Sequence, residues 1–151
     1  MAVNPAKIPN KVFVDSSVFI AAAISAKGSA RDLLMAGIRH EMPLVVSDHV
    51  FEETERNLAR KAPRAVGAFQ LLQEIVPFEI VHPTQALVEE VAVVIEPKDA
   101  VIVAGAIQSA AAFLATYDRK HLLSFKNEIK VRFGIKVVTP DNVINNASRN
   151  G

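Results

Sequence analysis

Four carboxylates stand where the residues around them change character. Asp15 follows Val12-Phe13-Val14, and Glu53 lies within SDHVFEETERNL. Asp99 heads the apolar run Ala100 to Ala115, and Asp118 follows Phe113-Leu114-Ala115-Thr116-Tyr117. Core-forming elements that begin or end at acids would carry those acids to one place. Two carboxylates about 5 Å apart repel by roughly 3 kcal/mol at an effective dielectric of about 20. A cluster of them therefore takes up protons or binds a divalent cation, and oxygen donors favour the hard ions Mg2+ or Mn2+. Such an ion activates water and neutralises charge on a phosphoryl transition state, so the chemistry open to this set is metal-assisted phosphodiester hydrolysis.

Each acid also has a plain structural use. Asp15 can cap a helix. Asp99 can sit in a first helical turn, where the dipole favours an acid by about 0.3–1 kcal/mol. Asp99 would, however, share a face with Ile102, Val103, Ala106 and Ala110, and a charge against a buried face is costly without a partner. Glu53 competes with Glu52. Val50, Phe51, Thr54 and Leu58 set the apolar face of their helix, with Glu53 about 115° and Glu52 about 145° from its centre. Glu53 is therefore the one expected to lean towards a cleft. Asp118 suits a turn, and Thr116 beside it can hydrogen-bond a carboxylate.

The elements that must position these acids are short and alternate. Strands are expected at Val12–Val14, Leu44–Val46, Phe78–Val81, Phe113–Thr116 and Ile135–Val138. Helices are expected from Ser17 to about Ser25 with Ser16 as cap, Ala30 to His40, His49 to Lys61 behind Ser47-Asp48, Pro63 to Ile75, Thr84 to Ile95, and Lys98 to Ala111 behind Pro97. Asp118 to Leu123 reads as a short helical turn. Strands apolar on both faces and alternating with helices imply a parallel sheet covered on both sides. Ligands of such sheets bind outside the carboxyl ends of the strands, which is where Asp15, Ser47 and Asp118 should lie. The expected class is α/β, a three-layer α/β/α sandwich with a mainly parallel sheet of about five strands. One domain over residues 1–151 is expected, with a core at about 11–140 and flexible ends at 1–10 and 145–151.

Composition narrows the function further. Half of the 151 residues are hydrophobic, enough for a sizeable core, and the net charge is +1. No cysteine is present, which excludes disulfides and thiolate metal sites and suits a reducing, cytoplasmic compartment. MAVNPAKIPN lacks the apolar stretch of a signal peptide. Ala100 to Ala115, broken by Gln108 and Ser109, is short for a membrane span and reads as a buried helix running into a buried strand. Basic residues gather in two groups, one of Arg56, Arg60, Lys61 and Arg64, the other running from Arg119 and Lys120 through Lys126, Lys130 and Arg132 to Lys136. Either is a solvated surface or a contact for phosphates. The histidines at 40, 49, 82 and 121 are scattered and read as surface or locally satisfied side chains, although His121 is close enough to Asp118 to face the same pocket. No glycine-rich phosphate loop, Asp-x-Asp after the first strand, paired acids near it, or G-x-S-x-G turn occurs. Dinucleotide binding, dehalogenase-type phosphatase chemistry, a receiver domain and a serine nucleophile are accordingly disfavoured.

The pattern as a whole resembles the PIN-domain family of ribonucleases, small members of which include VapC-like toxins. The matching segments are VFVDSSVFI from Val12, SDHVFEETERNL from Ser47 and PKDAVIVAGAIQSAAAFLATYDRKHLL from Pro97. The resemblance implies an acidic site of Asp15, Glu53, Asp99 and Asp118, with metal held by Asp15, Asp99 and Asp118 and support from Ser16 and Thr116. Many members follow the Ser16 hydroxyl with Asn, where this chain has Ser17. It further implies cleavage of single-stranded RNA with Mg2+ or Mn2+ by a metal-activated water. Many small members are toxins paired with an antitoxin protein and form homodimers, which adds both as expected partners. The rival expectation is a non-catalytic PIN-like module that binds RNA or protein.

Overall fold

The computed structural model describes residues 7–150. Within them β1 (Ile8–Val14) leads into α1 (Ser16–Ile24), α2 (Ser29–Ile38), β2 (Leu44–Ser47), α3 (Asp48–Lys61), α4 (Val66–Ile75) and β3 (Glu79–Val81). Then follow α5 (Gln85–Ala92), α6 (Pro97–Gln108), β4 (Ala111–Ala115), α7 (Lys126–Phe133), β5 (Lys136–Val138) and α8 (Pro140–Asn150). Every strand pairing described is parallel, in the order β3-β2-β1-β4-β5. Helices cover both faces, so the expected three-layer α/β/α class with a five-stranded parallel sheet is the one the chain adopts. No helix among the described residues is long and apolar enough to cross a membrane.

Burial explains the short apolar strands. Val12, Phe13, Val14, Val45 and Val46 are fully buried, because parallel strands have helices on both sides. α1 packs on α2, α3 and α4, whereas α6 lies across β1, β2 and β4 with α5 against it. Phe19, Phe51, Phe69 and Phe78 stack edge-to-face beneath α1, with ring centroids 5.4–6.0 Å apart. On α6, Gly105 lets the helix press onto the sheet. A Cβ there would fall 2.7 Å from Phe13 Cε2. That close approach sets the depth at which α6 presents Asp99.

The strand order contains a reversal. From β1 the chain moves outward through β2 to β3, then returns to β4 on the other side of β1 and moves out to β5. The carboxyl ends of β1 and β4 therefore flank the switch point, where open α/β sheets bind their ligands. Register keeps these ends level: Val14 pairs with Ala115, and Ala115 with Val138.

The structure corrects several expected boundaries. β1 includes Ile8–Asn10, expected to be a flexible end. Its pairing with β4 is irregular between Ile8 and Val12, and Asn10, between them, has a left-handed φ of 63°. Residues 145–150, also expected to be flexible, belong to α8, which buries Val143. The expectations for residues 1–6 and 151 lie outside the described residues. α7 was not anticipated. α6 ends at Gln108 rather than at Ala111, because Ala110 adopts a left-handed φ of 60° that turns the chain into β4. The cap of α1 is Asp15, not Ser16, which is already helical. The segment after Asp118 is a turn leading to a short 3-10 piece at Leu123–Phe125.

Candidate active site

Asp15 is the first residue past β1. Its backbone N–H still pairs with the Ala115 carbonyl at 3.1 Å, so it is held against the end of β4. Its Oδ2 accepts from Thr116 Oγ1 and from Ser17 Oγ, each at 2.8 Å, and more weakly from Ser17 N at 3.4 Å. The residue is 5 % exposed. Burial pushes its carboxyl above the usual carboxylate range against the hydrogen bonds from Thr116 and Ser17, and the Glu53 charge pushes it further up.

Thr116 is fully buried just past β4, and its hydroxyl also accepts the Asp118 N–H at 2.9 Å. Asp118 is thereby tied to the same hydroxyl as Asp15, and its Oδ1 accepts the His121 N–H at 3.0 Å. Asp99 is in the first turn of α6, behind Pro97, whose missing N–H has no helical acceptor at that position anyway. At 9 % exposure its carboxyl is raised by burial, while His121 and Lys98 pull it down and Asp118 and Glu96 push it up. Glu53 comes from α3, half-buried beside an exposed Glu52 as the helical face required. Ser16 Oγ donates to Glu53 Oε1.

These elements bring all four acids onto one pocket of about 320 Å3, which Ser16, Ser17, Ile20, Lys98, Ile102 and Leu122 also line. The pocket thus collects Asp15, Glu53, Asp99 and Asp118 around one lysine. Among the described residues, however, the one set of three metal-ligating side chains with donor atoms all within 4.8 Å is Glu96, Asp99 and His121. Asp15, Asp99 and Asp118 line the same pocket without meeting that spacing.

Three further residues contribute: Ser17 and His121, both close in sequence to expected site residues, and Glu96, which the sequence does not mark. Ser17 donates to Asp15, accepts the Tyr117 N–H at 2.9 Å and lies 3.2 Å from Thr116 Oγ1. Its position two residues after Asp15 was the available signal. Glu96 is the residue before Pro97, a natural start for α6, and no periodic pattern marked it. His121 reaches Asp99, with Nδ1 3.6 Å from Oδ2, while Lys98 Nζ lies 3.3 Å from its Nε2. The other described histidine contacts are with Glu53 from His49 and Asp48 from His82.

A family model described as PIN domain matches residues 11–120. Among solved structures, PAE2754 from Pyrobaculum aerophilum aligns over 91 % of this chain and 97 % of its own, with TM-score 0.61 and 20 % identity. VapC20 of Mycobacterium tuberculosis, described as a sarcin-ricin-loop-cleaving toxin, aligns over 72 % of this chain and 91 % of its own, with TM-score 0.53 and 22 % identity. At these identities both likenesses concern the fold. A search of curated proteins finds no match.

Proposed function

This chain belongs to the PIN-domain family, and from that premise we propose that it is a divalent-metal-dependent endoribonuclease acting on single-stranded RNA. The observation that carries the proposal is the convergence of Asp15, Glu53, Asp99 and Asp118 on one pocket at the switch point of the sheet.

The donor set fits a hard divalent cation. It consists of carboxylate oxygens backed by hydroxyls, and burial has already raised the carboxyls of Asp15 and Asp99. A cation offsets that cost. Asp15, Asp99 and Asp118 would hold it, with Glu96 and His121 near enough to Asp99 to contribute. Mg2+ or Mn2+ bound there would supply Lewis acidity for activating water and neutralising phosphoryl charge.

The chain's own groups divide the remaining work. Thr116 and Ser17 fix Asp15 Oδ2, and Thr116 ties down the Asp118 backbone. Ser16 holds Oε1 of Glu53, and Oε2, with His49 Nε2 3.9 Å away, would take a proton from the attacking water. Lys98 lines the pocket and can pair with a phosphate oxygen. Water attacks phosphorus, a P–O bond breaks, and the departing ribose oxygen takes up a proton from solvent, balancing the one passed to Glu53.

The toxin role of VapC20 and the habits of the family extend the proposal to the toxin half of a toxin–antitoxin pair, acting as a homodimer in the cytoplasm. The test is incubation of the purified chain with a mixed pool of single-stranded RNA in Mn2+, in Mg2+ and in EDTA. Cleavage in metal that stops in EDTA supports the proposal. Cleavage that persists in EDTA, or a folded protein that cuts nothing in the pool, counts against it.

A further inference from the structure

Arg119, Lys126, Lys130 and Lys136 are exposed and, among the described residues, none forms an ion pair. They line a chain of clefts along β5, the outer strand beside β4. The first cleft, about 610 Å3, has Tyr117, Arg119, Lys126 and Asp141 on its walls. The second, about 230 Å3, shares Lys126, Val137 and Val138 with the first and adds Lys130 and Lys136. A third, about 350 Å3, repeats Lys130 and Lys136 and reaches Lys7. Among the described residues, Asp141 is the sole carboxylate lining the three. For a chain of net charge +1 that is a strong local imbalance.

Ordinary structural roles do not explain all of these cations. Lys130 is in the last turn of α7, where the helix dipole favours it, just as Arg60 and Lys61 are favoured in the last turn of α3. A lysine such as Lys136 on an edge strand discourages pairing with another chain. Lys126, by contrast, opens α7, where the dipole disfavours a cation and favours an anion beside it. Arg119 is on the turn that separates the first cleft from the acidic pocket. Asp118 and Leu122 of that turn line the pocket, and Tyr117, Arg119 and Leu123 line the cleft.

We propose that this band is the track for single-stranded RNA. Arg119, Lys126, Lys130 and Lys136 bind successive phosphates, and the Tyr117 ring offers a face to a base. The strand crosses the turn at Asp118 to bring a phosphodiester to the acids. This track rests on the ribonuclease reading for its purpose, but its binding is measurable without cleavage.

The experiment is fluorescence anisotropy of labelled single-stranded RNAs of differing sequence, in EDTA, between about 50 and 200 mM salt. Each phosphate contact contributes about 0.7 to the slope of log K against log salt for a single strand, so a Lys126→Ala, Lys136→Ala variant should lose about 1.4 from the slope. The weakening should be the same for every sequence, and an Arg60→Ala, Lys61→Ala variant should bind like the parent. An unchanged slope, an equal loss in the α3 variant, or displacement of RNA by polyglutamate as readily as by unlabelled RNA would overturn the track. Band-dependent binding by a protein that cuts no RNA in Mn2+ would sink the ribonuclease reading and leave the track. Cleavage with an unchanged slope would do the reverse.

Discussion

Thr116 donates its hydroxyl to Asp15 Oδ2 across 2.8 Å, joining residues 101 apart in sequence at the ends of adjacent strands. The Thr116 hydroxyl oxygen in turn accepts the Asp118 N–H. One small hydroxyl thus sets the position of two of the acids. Thr116→Val keeps the shape and removes both contacts. It should cost about 1–3 kcal/mol of stability by leaving polar groups unpaired. Affinity for Mn2+, measured by calorimetric titration, should fall about 10–100-fold, and Thr116→Ser should restore it. An affinity unchanged in the valine variant would mean that Thr116 does not position Asp15.

Ser17 makes a similar case from the other side of Asp15. Ser17→Ala removes a donor to Asp15 and the acceptor of the Tyr117 N–H. A loss of about 1–3 kcal/mol on chemical denaturation is expected, together with weaker Mn2+ binding. Ser17→Asn, which puts back a polar side chain able to donate to Asp15, should recover most of the metal affinity. Equal affinity in all three proteins would show that this hydroxyl is dispensable.

Both Asp15 and Asp99 have carboxyls raised in the folded state. A raised carboxyl contributes stability that is fully present below the unfolded pKa and lost as pH rises through the folded pKa. In EDTA, the parent should therefore lose stability relative to an Asp15→Asn, Asp99→Asn variant as pH rises from about 4 past the ordinary carboxylate range. Saturating Mn2+ at neutral pH should raise the Tm of the parent and leave the variant unmoved. Thermal melts at several pH values check this, and a difference that is independent of pH would contradict it.

Gly105 connects helix packing to the site. Gly105→Ala places a methyl group 2.7 and 2.9 Å from Phe13 ring carbons in the closed core. Overpacking of this kind costs about 1–3 kcal/mol. Because α6 carries Asp99, the shift should also weaken Mn2+ binding. Denaturant melts paired with metal titration would show both effects, whereas unaltered stability would mean that α6 can retreat from the sheet freely.

The legible parts of this molecule are those in which one residue type has one use. Val12–Val14 and Leu44–Val46 could only be buried strands, and Pro97 with Asp99 marked the head of α6. The face defined by Val50, Thr54 and Leu58 distinguished Glu53 from Glu52, and α3 buries all three of those residues. Legibility failed where few apolar residues anchor an element. α7, KNEIKVRF, buries Ile129 alone, so no helical stripe announces it. α8 is rich in Asn and is pinned through Val143. Ala110 resembles a continuation of α6, because alanine is a strong helix former, yet its backbone is left-handed. The His121 contact with Asp99 joins a turn to a helix start, and only the folded chain brings the two together.

The most direct measurement is cleavage of single-stranded RNA in Mn2+ by the parent and by Asp99→Asn, with both proteins shown to be folded by thermal melting. The predicted result is a variant that melts no lower than the parent in EDTA and cuts at least about 100-fold more slowly, as expected when an ion-holding carboxylate is lost from a metal-assisted site. A folded Asp99→Asn protein that cuts as fast as the parent would contradict the assignment of the acidic pocket as the active site.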